Sequence, residues 1–395
     1  MLIAQTNHKK LMFADTAAVK ARDQMFYCPA CAQRVQLKTG QVIRPYFAHL
    51  PRQACHIFTE PETEEHIHGK LLLYDWLNKQ RLAPELERYL PTLKQRPDVF
   101  CATTSPPSAF EFQCAAISEE ELRFRTIQYM KSGIQPYWIF PVRKAVQTNA
   151  VQLSPMASMT SYEHSSLRRH SRLNSSYNIY LDIKQNSFYF RYLLGRVSSQ
   201  KCLQAFSISE LRHMSYFYLS EPPKPTIENR HVVVLMQIKK RQRYGRINRH
   251  HEVNFQQYLA AQFKQPLTMY PSAAGWPLPL ATSFFNPSYV WQTLLLSQVK
   301  KQSSVSFHEL TKSFRQLQAQ ELWQSRSQPL APVTFEDLLQ QYKELLQQMH
   351  LVSHTDQKVF SWQGDELFST HLDQAFYDDQ QLVQVWKNYM TRLLS

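Results

Sequence analysis

The stretch QRPDVFCATTSPPSAFEFQ, residues 95–113, decides the fold of the central part of the chain. It holds two short apolar runs separated by a turn rich in Ser and Pro, a pattern that predicts two strands joined as a hairpin. Asp98 stands at the start of the first run, and Glu111 and Gln113 stand in the second. The stretch therefore predicts a hairpin with polar side chains in otherwise apolar strands.

The spacing of these polar residues predicts that they share a face. Residues i and i+2 of a strand lie on one side, so Glu111 and Gln113 are expected together, and Asp98 joins them if the register allows it. Carboxylate and amide oxygens are hard ligands suited to Mg²⁺ or Mn²⁺, and a metal held there can activate water for attack on a phosphodiester. The alternative is an ordinary hairpin whose polar residues face solvent, and spacing alone does not decide between the two.

The segment before the hairpin predicts a helix. TEEHIHGKLLLYDWLNKQ, residues 63–80, begins with a capping Thr63, has an acidic first turn and shows helical apolar spacing. Glu62, His66 and Lys70 are four residues apart, so they are expected to stack along one side of this helix. They are either companions of the strand carboxylates or simply a solvated helix start whose charges suit the helix dipole.

The segment after the hairpin predicts a second helix and a further strand. SEEELRFRTIQYMKSG, residues 118–133, opens with a capping-box pattern and stops at Gly133, and the strand QPYWIFPV follows. The order helix, strand, strand, helix, strand indicates a small α/β unit between 62 and 142. Arg125 and Tyr129, four apart on the second helix, are expected either to contact phosphate or to brace the sheet.

A metal site is predicted nearer the start of the chain. Cys28, Cys31, His49 and Cys55 give the spacing C-x2-C-x17-H-x5-C, with a hairpin expected to turn at Thr39-Gly40 between the halves. This spacing is typical of a zinc ribbon with a closed, structural Zn²⁺ site. His56 competes with Cys55 as the fourth ligand, and a redox cysteine pair or two inert buried thiols remain the alternatives.

The length, net charge and cysteine count of the chain limit the class of protein to which it can belong. The chain has 395 residues, a formal net charge of +14 and six cysteines. Its length predicts several domains, and its charge favours a polyanionic partner. Six cysteines are too few for a disulfide scaffold of this length, and the chain contains no apolar run long enough to span a membrane and no secretory signal pattern. A cytoplasmic protein is expected.

The rest of the chain is less informative. YNIYLDI and SFYFRYL predict a hairpin around residues 184–187, and VVVLMQIKK, residues 232–240, resembles a strand. Helical patterns follow from about residue 284, where three helices and a hairpin suggest a winged-helix module over 286–365. We predict a multidomain α/β protein with a zinc-ribbon-like module at 1–58, an α/β core at 59–145 and a basic, mainly helical C-terminal region at 146–395.

Basic residues cluster between 239 and 249 in the sequence KKRQRYGRINR, which holds six basic residues and no acid. Basic grooves with interspersed aromatic side chains are typical of single-strand binding, and the alternative is a solvated loop. A smaller group at LRRHSR contains Arg168, Arg169 and Arg172. The predicted DNA-binding residues are Lys239, Lys240, Arg241, Arg243, Tyr244, Arg246 and Arg249, together with Arg125.

The segments YCPAC, GQVIRPYFAH, ETEEHIHGKLLLYDWL, QRPDV, EFQCAAIS and RFRTIQYMKSGIQPYWIF occur in order over about residues 20–142 and together resemble the competence protein CoiA family. The resemblance implies a zinc-finger-type module followed by a domain of the PD-(D/E)XK nuclease fold. By position it assigns Asp98 and Glu111 to a magnesium or manganese site. It adds Gln113, Glu62, His66 and Lys70 to the catalytic group.

One position departs from the nuclease pattern. Gln113 stands where the catalytic Lys is usual, and an amide cannot donate the cationic hydrogen bond that Lys supplies. Either Lys70 or His66 takes over that role, or cleavage is weak or absent. Gln113 is therefore the residue that leaves the activity open.

Three functions follow from these patterns. The first is a metal-dependent nuclease that acts on incoming single-stranded DNA during transformation and recombination, as the resemblance implies. The second is a nuclease fold that binds DNA and mediates recombination without cleaving it, alongside recombination or single-strand-binding proteins. The third is a zinc-stabilised interaction factor whose charge serves solubility.

Overall fold

The computed structural model describes residues 1–20, 24–40, 44–51, 63–142, 147–149, 152–198, 201–244, 252–302, 304–326, 328–354, 358–364 and 366–395. The chain forms two compact units. The first consists of Met1–Val142, Ile179–Tyr189 and Ile208–Leu219, and the second consists of Arg143–Asn178, Phe190–Ser207 and Ser220–Ser395. The predicted boundaries at residues 58 and 145 stay predictions.

The first unit begins with a small antiparallel sheet in the order β2-β1-β3-β4-β5. Its elements are β1 (Ile3–Thr6), β2 (Leu11–Phe13), α1 (Ala14–Lys20), β3 (Phe26–Tyr27), β4 (Arg34–Lys38) and β5 (Tyr46–His49). Val35 pairs with His49 and Lys38 with Tyr46, so the predicted hairpin between the cysteine pair and the histidine is present. Phe26, Val35 and Phe47 form part of a small apolar core beneath it.

The central elements of the first unit follow the predicted order, with one further short strand. They are α2 (Glu64–Lys79), β6 (Glu85–Leu86), β7 (Val99–Cys101), β8 (Ser108–Phe112), α3 (Glu119–Lys131) and β9 (Gln135–Pro141). β6, β7 and β8 pair antiparallel in sequence, and β9 lies parallel to β8. A parallel neighbour needs a crossover connection, and α3 supplies it.

Capping residues mark the starts of α2 and α3 at the positions that the sequence predicts. The Thr63 hydroxyl accepts a hydrogen bond from the backbone N–H of His66 at 3.2 Å, and Ser118 does the same for Glu121 at 3.1 Å. Gly133 has φ +69°, the left-handed conformation common just after a helix end. The predicted start and end of α3 are therefore confirmed.

Glycine allows α2 to approach the sheet closely. A Cβ atom on Gly69 would lie 2.0 Å from the ring of Phe112, so a larger residue at this position would displace the ring. The ring of Phe112 lies 6.4 Å from that of His66, in a stacked arrangement. The stacked contact places the His66 ring next to Phe112 of β8.

The next strands and one short helix contribute residues to both units. They are β10 (Gln147–Asn149), β11 (Gln152–Leu153), β12 (Met156–Ser158), α4 (Ser161–Ser165), β13 (Arg168–Arg169), β14 (Ser176–Asp182), β15 (Ser187–Arg196) and β16 (Lys201–Glu210). β14 and β15 are neighbours in the sheet, so the predicted hairpin is confirmed. Within the first unit, Ile179 pairs with Ile139 and extends the parallel part of the sheet.

The remainder of the second unit is mainly helical. It contains α5 (Asn229–Tyr244), α6 (Val253–Phe263), α7 (Ser288–Gln302), β17 (Ser304–Ser306), α8 (Phe307–Ala319), α9 (Phe335–Gln348), β18 (Val359–Ser361) and α10 (Leu372–Leu393). β17 and β18 pair antiparallel, and Val352 forms an isolated bridge with Trp362. These are the helices and strands on which the winged-helix prediction depends, and it stays a prediction.

The strand expected at residues 232–240 is wrong, because this segment lies within α5. Its run of Val and Ile favours a strand by propensity, but Leu235, Lys239 and Gln242 become buried at helical spacing. Packing of one helical face has overridden the local preference. Among the described residues, no helix is long and apolar enough to cross a membrane.

Candidate active site

Asp98 is held in place from two elements. Its Oδ2 accepts a hydrogen bond from the backbone N–H of Phe112 at 2.8 Å and another from His66 Nε2 at 3.0 Å. Burial acts to raise the pKa of Asp98, but His66, Lys70 and the Phe112 N–H outweigh it and lower the pKa to about 2. The carboxylate is therefore ionised at neutral pH.

Glu111 lies on β8 and is buried, with 4% of its surface exposed. Its Oε1 accepts hydrogen bonds from the Tyr129 hydroxyl at 2.6 Å and from the Arg125 guanidinium. Burial raises the pKa of Glu111, Arg125 opposes this, and the charge of Asp98 raises it further. Arg125 and Tyr129 thus both contact Glu111 within the protein, and the predicted phosphate contact stays a prediction.

The two carboxylates face each other across neighbouring strands. Val99 pairs with Phe110, so the antiparallel register places Asp98 opposite Glu111 one step further along. In the part of the chain that the structure describes, no hydrogen bond reaches Glu111 Oε2, and Asp98 Oδ1 has only the Lys70 ammonium nearby, at 3.9 Å. Each acid therefore keeps one oxygen open.

This burial rules out the plain surface hairpin that the sequence left open. All five residues of β8 are buried, and the Asp98 side chain is 15% exposed. A charged group kept inside a sheet costs free energy unless partners compensate it, and here each acid has a cation close by. The hairpin is an interior element that carries two carboxyl groups.

His66 and Lys70 lie beside Asp98, as the four-residue spacing predicts. Lys70 is buried, and its ammonium donates to Glu87 Oε1 at 2.6 Å. Glu87 also accepts from Arg96 at 3.1 Å and from the backbone N–H groups of Leu2 and Ile3. Burial acts to raise the pKa of Glu87, but Arg96 and Lys70 hold it well below its usual value. Lys70 is thus a positioned interior cation shared between two acids.

Two predicted members of this group are placed differently. Gln113 follows β8, its backbone N–H donates to the Ile139 carbonyl at 2.8 Å, and its side-chain amide donates to the Ala115 carbonyl at 2.9 Å. The structure therefore ties the amide to its own loop rather than to either carboxylate. Glu62 lies outside the described residues.

The predicted metal ligands Cys28, Cys31 and His49 come together. Their ligand atoms all lie within 4.8 Å of one another, and Cys31 Sγ is 3.3 Å from His49 Nε2. Burial lowers the pKa of His49, and the Arg96 charge lowers it further, so the ring is neutral as a metal ligand must be. Two thiols and one imidazole can hold a metal ion. Cys55 and His56 lie outside the described residues.

Two predicted DNA contacts require correction. Lys239 and Arg243 are completely buried in α5 and form ion pairs with Asp379, at 2.9 Å and 3.0 Å. Arg243 also donates to the carbonyls of Thr268 and Tyr270. Their charges are already satisfied inside the protein, so neither reaches a phosphate. The basic run looked like one surface because the sequence does not show which helical positions face inward.

The other predicted DNA contacts differ in their exposure and stay predictions. Lys240 and Arg241 are exposed, and Tyr244 is 47% exposed while its hydroxyl donates to Asp373 at 2.6 Å. Arg246 and Arg249 lie outside the described residues. In the smaller group, Arg168 is buried, Arg169 pairs with Asp337 and Arg172 pairs with Glu221. Arg125, the last of the predicted DNA contacts, forms an ion pair with Glu111.

Comparison with models of known protein families shows which family the chain belongs to. Family models of competence protein CoiA match in chain order: its N-terminal domain at residues 11–58, its nuclease-like domain at 62–224 and its C-terminal domain at 234–376. The chain belongs to the CoiA family. The nuclease-like match contains both carboxylates, His66 and Lys70, and the N-terminal match contains all four predicted metal ligands.

A curated relative supports the same assignment. Competence protein CoiA of Bacillus subtilis strain 168 is 38% identical to this chain over 129 residues, which cover 33% of the chain and 35% of the relative. The alignment therefore spans about a third of that CoiA protein's length. No solved structure matches the chain.

Glu87 is the site residue that sequence patterns missed. It stands in PELERYL outside any predicted element, has φ +52° and is 2% exposed. Its partners come from three separate segments, and no local spacing connects them. A signal for it would have been the need of Lys70, once placed on the inner face of α2, for a buried acid.

Proposed function

We propose that the chain is a divalent-metal-dependent deoxyribonuclease of the PD-(D/E)XK type, acting on incoming single-stranded DNA during competence and recombination. The observation that carries this proposal is the pair of acids, Glu111 buried and Asp98 partly buried, each with one oxygen open. The order α2, three antiparallel strands, α3 and a parallel β9 forms the small α/β unit that carries both acids. Membership of the CoiA family, with its nuclease-like domain, supports the role in competence.

The donor set suits a hard divalent cation. Asp98 and Glu111 would hold Mg²⁺ or Mn²⁺ through Oδ1 and Oε2, because these oxygens lack hydrogen-bond donors in the described residues. Asp98 raises the pKa of Glu111, so a cation between them would relieve a repulsion already present. Such a metal supplies an activated water and charge stabilisation at the phosphate.

The chain's own residues prepare this site. The hydrogen bond from His66 holds Asp98 by the other oxygen, and Arg125 with Tyr129 holds Glu111 in the same way. Lys70 keeps a positive charge within reach of Asp98 and is the interior cation that stands in for the Lys absent at position 113. Hydrogen bonds from neighbouring side chains thus hold both carboxylates in place.

The direct test is cleavage by the purified full chain. We expect single-stranded DNA to be cut with Mn²⁺ or Mg²⁺ present and to stay intact with EDTA. Binding of the same DNA, measured separately by fluorescence anisotropy, distinguishes loss of cleavage from loss of contact. Intact DNA under every metal condition, with binding retained, would support the second function described next.

A specific observation favours a DNA-binding recombination mediator as the second candidate. Gln113 occupies the usual Lys position, and its amide bonds to Ala115 rather than to an acid. On this proposal, exposed cations such as Lys240 and Arg241 bind single-stranded DNA in a salt-sensitive way and without metal. The partners are then recombination or single-strand-binding proteins.

Gln113→Lys distinguishes a weak nuclease from an absent one. If Gln113 limits activity, the lysine restores a cation beside the scissile phosphate, and metal-dependent cleavage is expected to rise about tenfold or more. Initial rates on one labelled oligonucleotide measure it. Gln113→Met is the matched control, since it has similar length and no charge. Equal and measurable rates for Lys and Met would show that position 113 does not limit cleavage, and no cleavage by either would favour the second candidate.

We also propose that Cys28, Cys31 and His49 bind zinc, with Cys55 or His56 as the fourth ligand. Two thiolates and a neutral imidazole match the donors that zinc prefers, and four protein ligands leave no position open for substrate. The small apolar core around Phe26 and Phe47 is limited, so a metal would supply much of the stability of this sheet. The role is structural.

Cys28→Ser is expected to lose that metal. Metal analysis of the purified chain should give about one zinc per wild-type molecule and much less for the variant, since a serine hydroxyl is a poor zinc ligand. Protease sensitivity of residues 1–58 should rise in parallel. Cys114→Ser is the control, because Cys114 lies outside the ligand group. Equal zinc content in all three proteins would contradict the assignment.

A further inference from the structure

Glu87 is bound to the Asp98 strand through its backbone. It follows β6 and has φ +52°, a left-handed conformation that costs free energy for a residue with a side chain. Its backbone N–H donates to the Asp98 carbonyl at 3.0 Å, so main-chain contact holds the two acids side by side. A strained backbone at a buried acid indicates that the position of its side chain matters.

The Glu87 side chain is held by the start of the chain. Its Oε1 accepts from the backbone N–H of Leu2 at 3.0 Å, and its Oε2 accepts from the N–H of Ile3 at 3.3 Å and from Arg96 at 3.1 Å. The strand β1 that begins at Ile3 is paired on both sides, with β2 and β3, so these main-chain donors are fixed by the N-terminal sheet. The carboxylate of Glu87 is therefore a fixed interior acceptor.

Lys70 lies between Glu87 and Asp98 at unequal distances. Its ammonium is 2.6 Å from Glu87 Oε1, a charge-assisted hydrogen bond, and 3.9 Å from Asp98 Oδ1, which is beyond hydrogen-bond distance. Because attraction between charges weakens with distance, Glu87 holds this completely buried ammonium more strongly than Asp98 does. The positive charge is thus kept near Asp98 without a hydrogen bond to it.

We propose that Glu87 is a positioning residue that holds the Lys70 ammonium away from Asp98 Oδ1. This oxygen is one of the two that take the divalent metal in the proposed function, on which this inference rests. An ammonium hydrogen-bonded to Oδ1 would occupy the oxygen and repel the incoming cation. With the ammonium held by Glu87 instead, Oδ1 accepts the metal and the positive charge stays 3.9 Å away. Glu87 acts through Lys70 and takes no part in cleavage itself.

Mn²⁺ binding to the purified full chain tests this role without any cleavage. Loss of the free Mn²⁺ signal in electron paramagnetic resonance measures the bound metal, and Asp98→Asn defines the binding that belongs to this site. Glu87→Gln keeps the shape of the side chain and removes its charge, so the ammonium shifts towards Oδ1. We expect Mn²⁺ affinity to fall about tenfold or more, as for lost outer partners of metal ligands. Glu85→Gln is the matched control, since Glu85 is exposed and pairs with Arg88 at the surface, and its affinity should equal wild type.

Lys70→Met separates positioning from general damage to the fold. This variant removes the ammonium, so Mn²⁺ binding is expected to be at least as tight as in the wild type while cleavage of DNA falls. When Lys70→Met is combined with Glu87→Gln, affinity is expected to return to within about threefold of Lys70→Met alone, because no ammonium remains to occupy Oδ1. A second substitution would not repair a damaged fold.

The outcomes distinguish this role from the proposed nuclease. Equal Mn²⁺ affinity in wild type and Glu87→Gln, or equal losses in Glu87→Gln and the double variant, overturns the positioning role and leaves the nuclease proposal standing. No Mn²⁺ binding by the wild type overturns both. If Glu87→Gln does not fold, Lys70→Met still decides, since weaker Mn²⁺ binding by this variant than by the wild type contradicts competition for Oδ1.

Discussion

Asp98→Asn is expected to lower metal-dependent cleavage of single-stranded DNA at least about a hundredfold, while binding of the same DNA changes little. The amide keeps the shape of the carboxylate and can still accept the hydrogen bond from the Phe112 N–H. It removes the charge at Oδ1, the oxygen offered to the metal. Initial rates with Mn²⁺, beside anisotropy measured without metal, separate the two effects.

Asp75→Asn is the matched control for this variant. Asp75 is exposed on α2, so the same change of charge occurs in the same unit away from the site. Folding of both variants is compared at pH 7. The lowered pKa of Asp98 means that its charge stabilises the native state above the usual carboxylate range and that this contribution fades as pH falls towards about 2. Equal cleavage by Asp98→Asn and the control would exclude Asp98 as a metal ligand.

Much of this site could be predicted because its residues follow local periodicities. The strand period connects Asp98 with Glu111 through the hairpin register, and the helix period places His66 and Lys70 on one face. Caps at Thr63 and Ser118 mark both helix starts. These signals depend only on residues that are close in the sequence. They predict the structure correctly because the packing of the core favours the same helices and strands.

Long-range partners could not be predicted in the same way. Glu87 meets Lys70 and Arg96 through tertiary packing, and Gln113 turns its amide to a loop carbonyl although its strand spacing favours the acid side. The residues at 232–240 form a helix because one helical face is buried, against their strand propensity. Which residues are buried, and which partners they contact, is decided only when the core is assembled.

Asp379→Asn is expected to lower the free energy of unfolding of the second unit by about 3–5 kcal/mol. Asp379 is completely buried between Lys239 and Arg243 and accepts from both, so a neutral amide leaves two interior cations without their counter-charge. Lys239 also lies 4.0 Å from the ring of Trp276. Denaturant unfolding followed by tryptophan fluorescence therefore reports on this cluster.

Neighbouring Asp378→Asn is the control, because Asp378 accepts from Ser369 and Gln374 nearer the surface and its loss should cost less. The pH dependence distinguishes a charge effect from misfit. Burial lowers the pKa of Lys239 to about 8, against the opposing charge of Asp379. Between that value and the ordinary lysine range the unfolded chain holds the extra proton, so stability from this group rises with pH. The deficit of Asp379→Asn should accordingly be smaller at about pH 9 than at about pH 6.5, since Lys239 can then shed its charge. A deficit independent of pH would point to packing rather than to the uncompensated ammonium.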